Sequence, residues 1–172
     1  MKLFVFLSAV LISNIALSQV EVKASVVLNP AGDFVASLKS STGQAIIDGK
    51  SIVIPNISID LNTLSTGLSL RDDHAKNKYL EVKKFPMATL TDIKAESGKG
   101  TAVLQLKDKK KKVEGTYTLS NDQRVITAEF KINLSDFGIE DISYKGIGVD
   151  DEVKIEAKII ATKNQTINPK KK

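Results

Sequence analysis

Beyond the first twenty residues the chain alternates apolar and polar side chains with period two, the pattern of strands that bury one face and wet the other. Ile126, Ala128, Phe130, Ile132 and Leu134 fall on one face against Val125, Thr127, Glu129, Lys131 and Asn133. Val153, Ile155, Ala157, Ile159 and Ala161 repeat the pattern against Lys154, Glu156, Lys158, Ile160 and Thr162, and Val113, Gly115, Tyr117 and Leu119 continue it. Upstream, strands are predicted near 22–28, 33–39, 43–48, 51–61, 87–95 and 100–107. Turn signals separate them at Asn29-Pro30-Ala31-Gly32, Asp48-Gly49 and Ser97-Gly98-Lys99-Gly100. Nothing alternates strand with long helix, so the fold class is all-β, a closed antiparallel barrel or a sandwich.

Residues 64–85 break the alternation over too long a stretch for a plain hairpin loop. Ser69 with Asp72 three residues on predicts an N-capped short helix through about Lys76, and Pro86 stops it. Lys107-Asp108-Lys109-Lys110 reads as a hairpin tip whose solvated lysines discourage edge pairing.

The chain begins with Lys2, an apolar run over 3–12 and Ala16-Leu17-Ser18, a secretory signal over 1–18 with cleavage expected before Gln19. Ser8, Ser13 and Asn14 interrupt that run, which is shorter than the ~20 residues of a membrane span. No transmembrane segment is expected after cleavage. One domain is expected over 19–162 and a Lys-rich, disordered tail over 163–172, in a periplasmic or secreted protein.

With no cysteine, there is neither a disulfide frame nor a thiolate metal site. The net charge of +5 is concentrated in Lys109–Lys112 and Lys170–Lys172. With six Phe, three Tyr and no Trp, the chain lacks the basic face with interleaved aromatics that nucleic acid requires. His74 is the sole histidine, which removes multi-His zinc sites and most triad chemistry. The expectation is therefore no enzyme, no catalytic residue, no metal and no cofactor. Asp150, Asp151 and Glu152 lack the ligand spacing of a calcium loop, and read as the solvated start of a strand. Asp136-Phe137-Gly138 has no kinase context; Gly138 permits a bend while Phe137 packs inside. Arg71, Asp72, Asp73 and His74 either fix the geometry of the loop that closes the barrel or meet a ligand head group.

The stretch 66–74 (TGLSLRDDH), followed by 79–86 (YLEVKKFP), resembles the YceI-like family of polyisoprenoid-binding proteins. A second match lies at 134–139 (LSDFGI) and 148–155 (GVDDEVKI). The chain departs from the family pattern at its first strand, where 22–30 reads VKASVVLNP, and after His74, where Ala75 replaces a leucine. The resemblance implies an extended, lipocalin-like antiparallel barrel of about eight strands around an elongated apolar tunnel, with a periplasmic or secreted location.

Ala24, Ala36, Ala128, Ala157 and Ala161 keep the buried faces small, and an eight-stranded barrel either fills itself or holds one small ligand. If the barrel is hollow, Phe34, Leu38, Phe130, Ile132, Leu134 and Phe137 line it, joined by Leu70, Tyr79, Leu80 and Phe85 from the closing loop. Arg71, Asp72 and His74 are then the head-group candidates. The expected function is an exported carrier that holds an isoprenoid or other long apolar ligand non-covalently, its partner a lipid-like small molecule. A homodimer is compatible with the sequence. The alternative is a filled barrel that acts as an interaction module through its Lys-rich surface.

Overall fold

The computed structural model describes residues 20–30, 32–40, 45–48, 51–54, 56–144 and 146–163. The signal read over 1–18 and the tail from 164 onward lie outside them. The strands are β1 (Val20–Asn29), β2 (Asp33–Ser40), β3 (Ala45–Asp48), β4 (Ser51–Val53), β5 (Ile57–Asp60), β6 (Met87–Glu96), β7 (Lys99–Leu106), β8 (Lys109–Leu119), β9 (Val125–Asn133), β10 (Ser143–Tyr144), β11 (Ile147–Val149) and β12 (Glu152–Lys163). One short helix, α1 (Ser69–His74), runs on into a π-helical turn at Ala75–Tyr79.

Eight strands form the barrel wall in the order β2-β1-β12-β9-β8-β7-β6-β5, with antiparallel neighbours throughout. Closure between the ends of this path uses the chain just after β5. The Ser37 and Ser65 amides donate to each other's carbonyls at 2.8 and 2.9 Å. Beside them the Thr63 hydroxyl accepts from the Lys39 amide at 2.9 Å and donates to its carbonyl at 3.0 Å. A bulge between Thr91 and Lys94, with Asp92 at φ 51°, bends β6 and helps the sheet curl. The fold is the nearly closed, eight-stranded antiparallel barrel expected.

Register follows the period-two pattern. Val153, Ile155, Ala157 and Ile159 of β12 sit opposite Ile132, Phe130, Ala128 and Ile126 of β9, so both apolar faces point inward. On the outer face the Lys154–Glu129 (2.8 Å) and Lys131–Glu152 (2.7 Å) ion pairs cross the same two strands.

Several elements differ from the sequence expectation. The segment 51–61 divides into β4 and β5, because Pro55 between them has no N–H for a ladder. Its last residue opens a 3₁₀ turn, Leu61–Thr63, whose first amides are capped by Asp60, which accepts from Asn62 N at 2.9 Å. Lys109–Lys112 is the beginning of β8 rather than a hairpin tip; only Lys107 and Asp108 form the turn. β10 and β11 went unforeseen, since two or three residues carry no periodicity. Lys163, placed in the tail by sequence, still belongs to β12.

The two barrel ends differ. At one, the β3–β4 hairpin packs beside the end of β12, and Ile47, Ile54, Ala102, Val113, Ile126 and Ile159 are buried together. At the other, residues 64–82, 139–144 and 146–149 lie over the interior.

Candidate functional site

The interior beneath those two segments is not filled. A cavity of about 720 Å³ lies there, within the ~300–1,000 Å³ range of small-molecule sites. Inward-facing side chains such as Phe34, Leu90, Phe130 and Ile132 are only half-buried because their free surface faces this space. Small residues make the room: Ala24 and Ala36 are paired across β1 and β2, and Ala157 lies on β12. The filled-barrel alternative is therefore corrected by the cavity. A smaller space of about 90 Å³ continues into the packed end, and Ile57, Leu90, Phe130 and Ala157 border both.

Among the described residues, polar side chains in the lining come from Thr66, Ser69, Arg71, His74, Tyr79 and Ser143. Five of these belong to the 64–82 segment, so the cavity is apolar along its depth and polar at one end. Leu68 and Leu70, also in the lining, are 58 and 57% exposed and form an apolar rim at that end.

The closing segment is held by its own polar residues. Asp72 accepts from the Thr66 amide at 2.7 Å and from the Thr66 hydroxyl at 2.5 Å. That hydroxyl is the main reason the Asp72 carboxyl is held below its ordinary pKa, and Lys76 adds to it. Ser69 is accordingly the first helical residue and not the N-cap; Leu68 precedes the helix without a side-chain cap. Arg71 Nη2 donates to the Thr66 carbonyl at 2.9 Å, and the guanidinium lies 3.9 Å from the Phe34 ring centre. Its Nε is buried and has no hydrogen-bond partner.

Lys107 ties this segment to the barrel. Its ammonium donates to the Tyr79 carbonyl at 3.2 Å and pairs with Glu81 at 2.5 Å, its side chain only 11% exposed. The hydrogen bond and charge of Lys107 lower the Glu81 pKa. A solvated hairpin-tip role for Lys107 is thus corrected. Opposite, the Tyr79 hydroxyl reaches the Ser143 carbonyl at 3.5 Å, linking the closing segment to β10.

Of the ten lining candidates from sequence, Phe34, Leu38, Phe130, Ile132 and Leu134 line the cavity from the wall. Leu70, Tyr79 and Leu80 line it from above. Phe85 and Phe137 do not. Phe85 is half-buried under Lys84, whose ammonium lies 4.8 Å from its ring centre. Phe137 is 1% exposed in a 3₁₀ turn (Ser135–Phe137) that Gly138 ends at φ 67°, packed in the core outside the cavity. Of the head-group candidates, Arg71 and His74 line the cavity, whereas Asp72 faces Thr66. Asp151 accepts from the Ser135 amide and hydroxyl, both at 2.7 Å, bonds that lower its pKa. Sequence reading missed Ile139, Ile142, Ile147 and Val149 in the lining; their β-branched run, punctuated by Gly146 and Gly148, was the available signal.

Among the described residues no group of three or more His, Asp or Glu side chains is placed to hold a metal ion. No helix among them is long and apolar enough to cross a membrane.

A family model described as YceI-like domain matches residues 14–161. No curated protein matches the chain in sequence. Among solved structures the chain is similar to Burkholderia cenocepacia BcnA, at 22% identity and a TM-score of 0.61 over 82% of this chain and 96% of that one. It is also similar to a polyisoprenoid binding domain from Saccharophagus degradans implicated in plant cell wall breakdown, at 13% identity and a TM-score of 0.55 over 85% and 99%. A mutant CJ YCEI protein with a monobromobimane guest matches at 18% identity and a TM-score of 0.54 over 74% and 86%. At these identities the likeness is one of fold.

Proposed function

The chain belongs to the YceI-like domain family, and from that membership we propose that it is an exported carrier, periplasmic or secreted, that holds one long apolar molecule non-covalently. The isoprenoid and fatty chains are the ligand classes this reading favours, with no reaction and no cofactor. The observation that carries it is the cavity of about 720 Å³, apolar along its depth and bordered at one end by residues 64–82. The related Saccharophagus degradans domain is described as polyisoprenoid-binding, which supports the same class of ligand here.

The size of the hydrophobic effect explains why the chain must be long. Each methylene removed from water contributes about 0.8 kcal/mol, whereas association costs roughly 4–15 kcal/mol in lost freedom. Ten methylenes gain about 8 kcal/mol, so useful affinity calls for a longer chain. Sixteen gain about 13 kcal/mol, toward the upper end of that cost.

Titration of the purified protein with a fluorescent polyene fatty acid tests this. Uptake is expected to saturate at one molecule per chain. Ala24→Phe, which places a ring into space the half-buried Ala24 side chain leaves open, should abolish uptake with the fold intact. Unsaturable uptake, or uptake that Ala24→Phe leaves unchanged, would refute the interior as the binding place.

A further inference from the structure

Arg71 brings a positive charge to an otherwise hydrocarbon lining. Among the described residues it is the only Lys or Arg that lines the cavity, and no Asp or Glu among them does. Its sequence neighbours do not neutralise it: Asp72 is committed to Thr66, and Asp73 is exposed outside the lining. Among the described residues no carboxylate pairs with the guanidinium. One of its N–H groups donates to the Thr66 carbonyl and one of its faces covers Phe34, while Nε–H, shielded from water, has no acceptor.

A buried donor without an acceptor and a cation without a counter-charge are both unfavourable in an apolar surround. Phe34 and the Thr66 carbonyl hold the guanidinium in place, so its planar fork is oriented before any ligand arrives. A ligand oxyanion answers the charge, because a carboxylate or phosphate accepts two parallel N–H bonds from the Nη end of such a fork. A hydroxyl or carbonyl head would accept one such bond and leave the charge unmatched. His74, three residues further along the helical segment, lines the same end of the cavity.

Resting on the chain-binding reading above, we propose that Arg71 is the head-group site of this cavity. The ligand is then an amphiphile with an oxyanion, a carboxylate or a phosphate monoester, at one end of its apolar chain. The chain lies along the barrel and the head stays at the end closed by residues 64–82. Phe34 is part of the site, since it supplies the surface on which the guanidinium rests.

The experiment displaces a neutral fluorescent probe, N-phenyl-1-naphthylamine, from the full purified chain with hexadecanoate, hexadecyl phosphate and hexadecan-1-ol. Both anions are expected to bind at least about tenfold tighter than the alcohol, the size of one charge-assisted pair. The tighter of the two anions identifies the head. Arg71→Gln should erase the gap, bringing the affinities of the two anions down to that of hexadecan-1-ol in the same variant, and Arg71→Lys should keep part of the gap. Equal affinity for all three, or a gap that survives in Arg71→Gln, overturns the proposal and leaves the apolar-chain reading standing. Failure of the neutral probe and all three chains to bind would instead sink that underlying reading, and this proposal with it. The comparison in the unaltered chain needs no variant, so the proposal remains refutable if Arg71→Gln does not fold.

Discussion

Gly115 shows how little freedom single positions in the wall have. It faces Phe130 across β8 and β9, and a Cβ there would run into the Glu129 carbonyl and the Phe130 side chain. Backbone cannot yield as a flexible side chain can, so Gly115→Ala is expected to cost about 1–3 kcal/mol. A fall in Tm checks it, and an unchanged Tm would mean the strands can part without cost. Asp72 makes a different argument at the same scale. Its folded pKa lies below its ordinary value, so its contribution is present above that value and fades as pH falls through the folded one. Asp151 and Glu81 shift in the same direction, each through a named partner. Bound probe should therefore be retained from neutral pH downward and released below about pH 4. Asp72→Asn, which removes the titrating group, should hold probe less well at neutral pH and show a shallower acid dependence. Superimposable pH profiles would remove Asp72 from the account.

At the scale of elements, the closing segment is a short helix, a π-helical turn and a loop with few buried residues of its own: Leu64 and Val82 among them. Its position depends on the Ser37–Ser65 backbone pair, the Thr66–Asp72 hydrogen bonds and Lys107. Segments with so little buried surface open more readily than the sheet beneath them. Lys107→Met keeps the aliphatic stem and removes the bonds to Tyr79 and Glu81. It is expected to speed amide exchange over 75–82 and ligand release severalfold, with the barrel strands unaffected. Exchange and release rates equal to those of the unaltered chain would show that Lys107 does not hold the segment.

At the scale of the whole molecule, the barrel was legible because two-faced strands must alternate, and β9 and β12 pair as their apolar positions demand. The start of β8 was not legible. Lys109–Lys112 has no apolar residue to mark a face: those lysines lie exposed although they pair with β7 residues that include the buried Leu104 and Leu106, and Lys111 pairs with Asp136 at 2.9 Å. The cavity wall could be read from inward-facing positions on strands, whereas Phe85 and Phe137 lie in turns, where period two says nothing about direction. Arg71 left two readings open in sequence, since loop fixing and ligand contact use the same side chain; the structure shows it hydrogen-bonded to Thr66 and lining the cavity at once. Together these features make a hollow barrel with one packed end and one closed by a separable segment, and its central claim is that a ligand occupies the hollow. The most direct measurement is mass spectrometry of organic extracts from protein purified without detergent, with the intact complex weighed in parallel. The account predicts one apolar chain per protein, with the bound mass absent from Ala24→Phe. An empty extract, together with failure to reload the protein with any long-chain lipid, would contradict it.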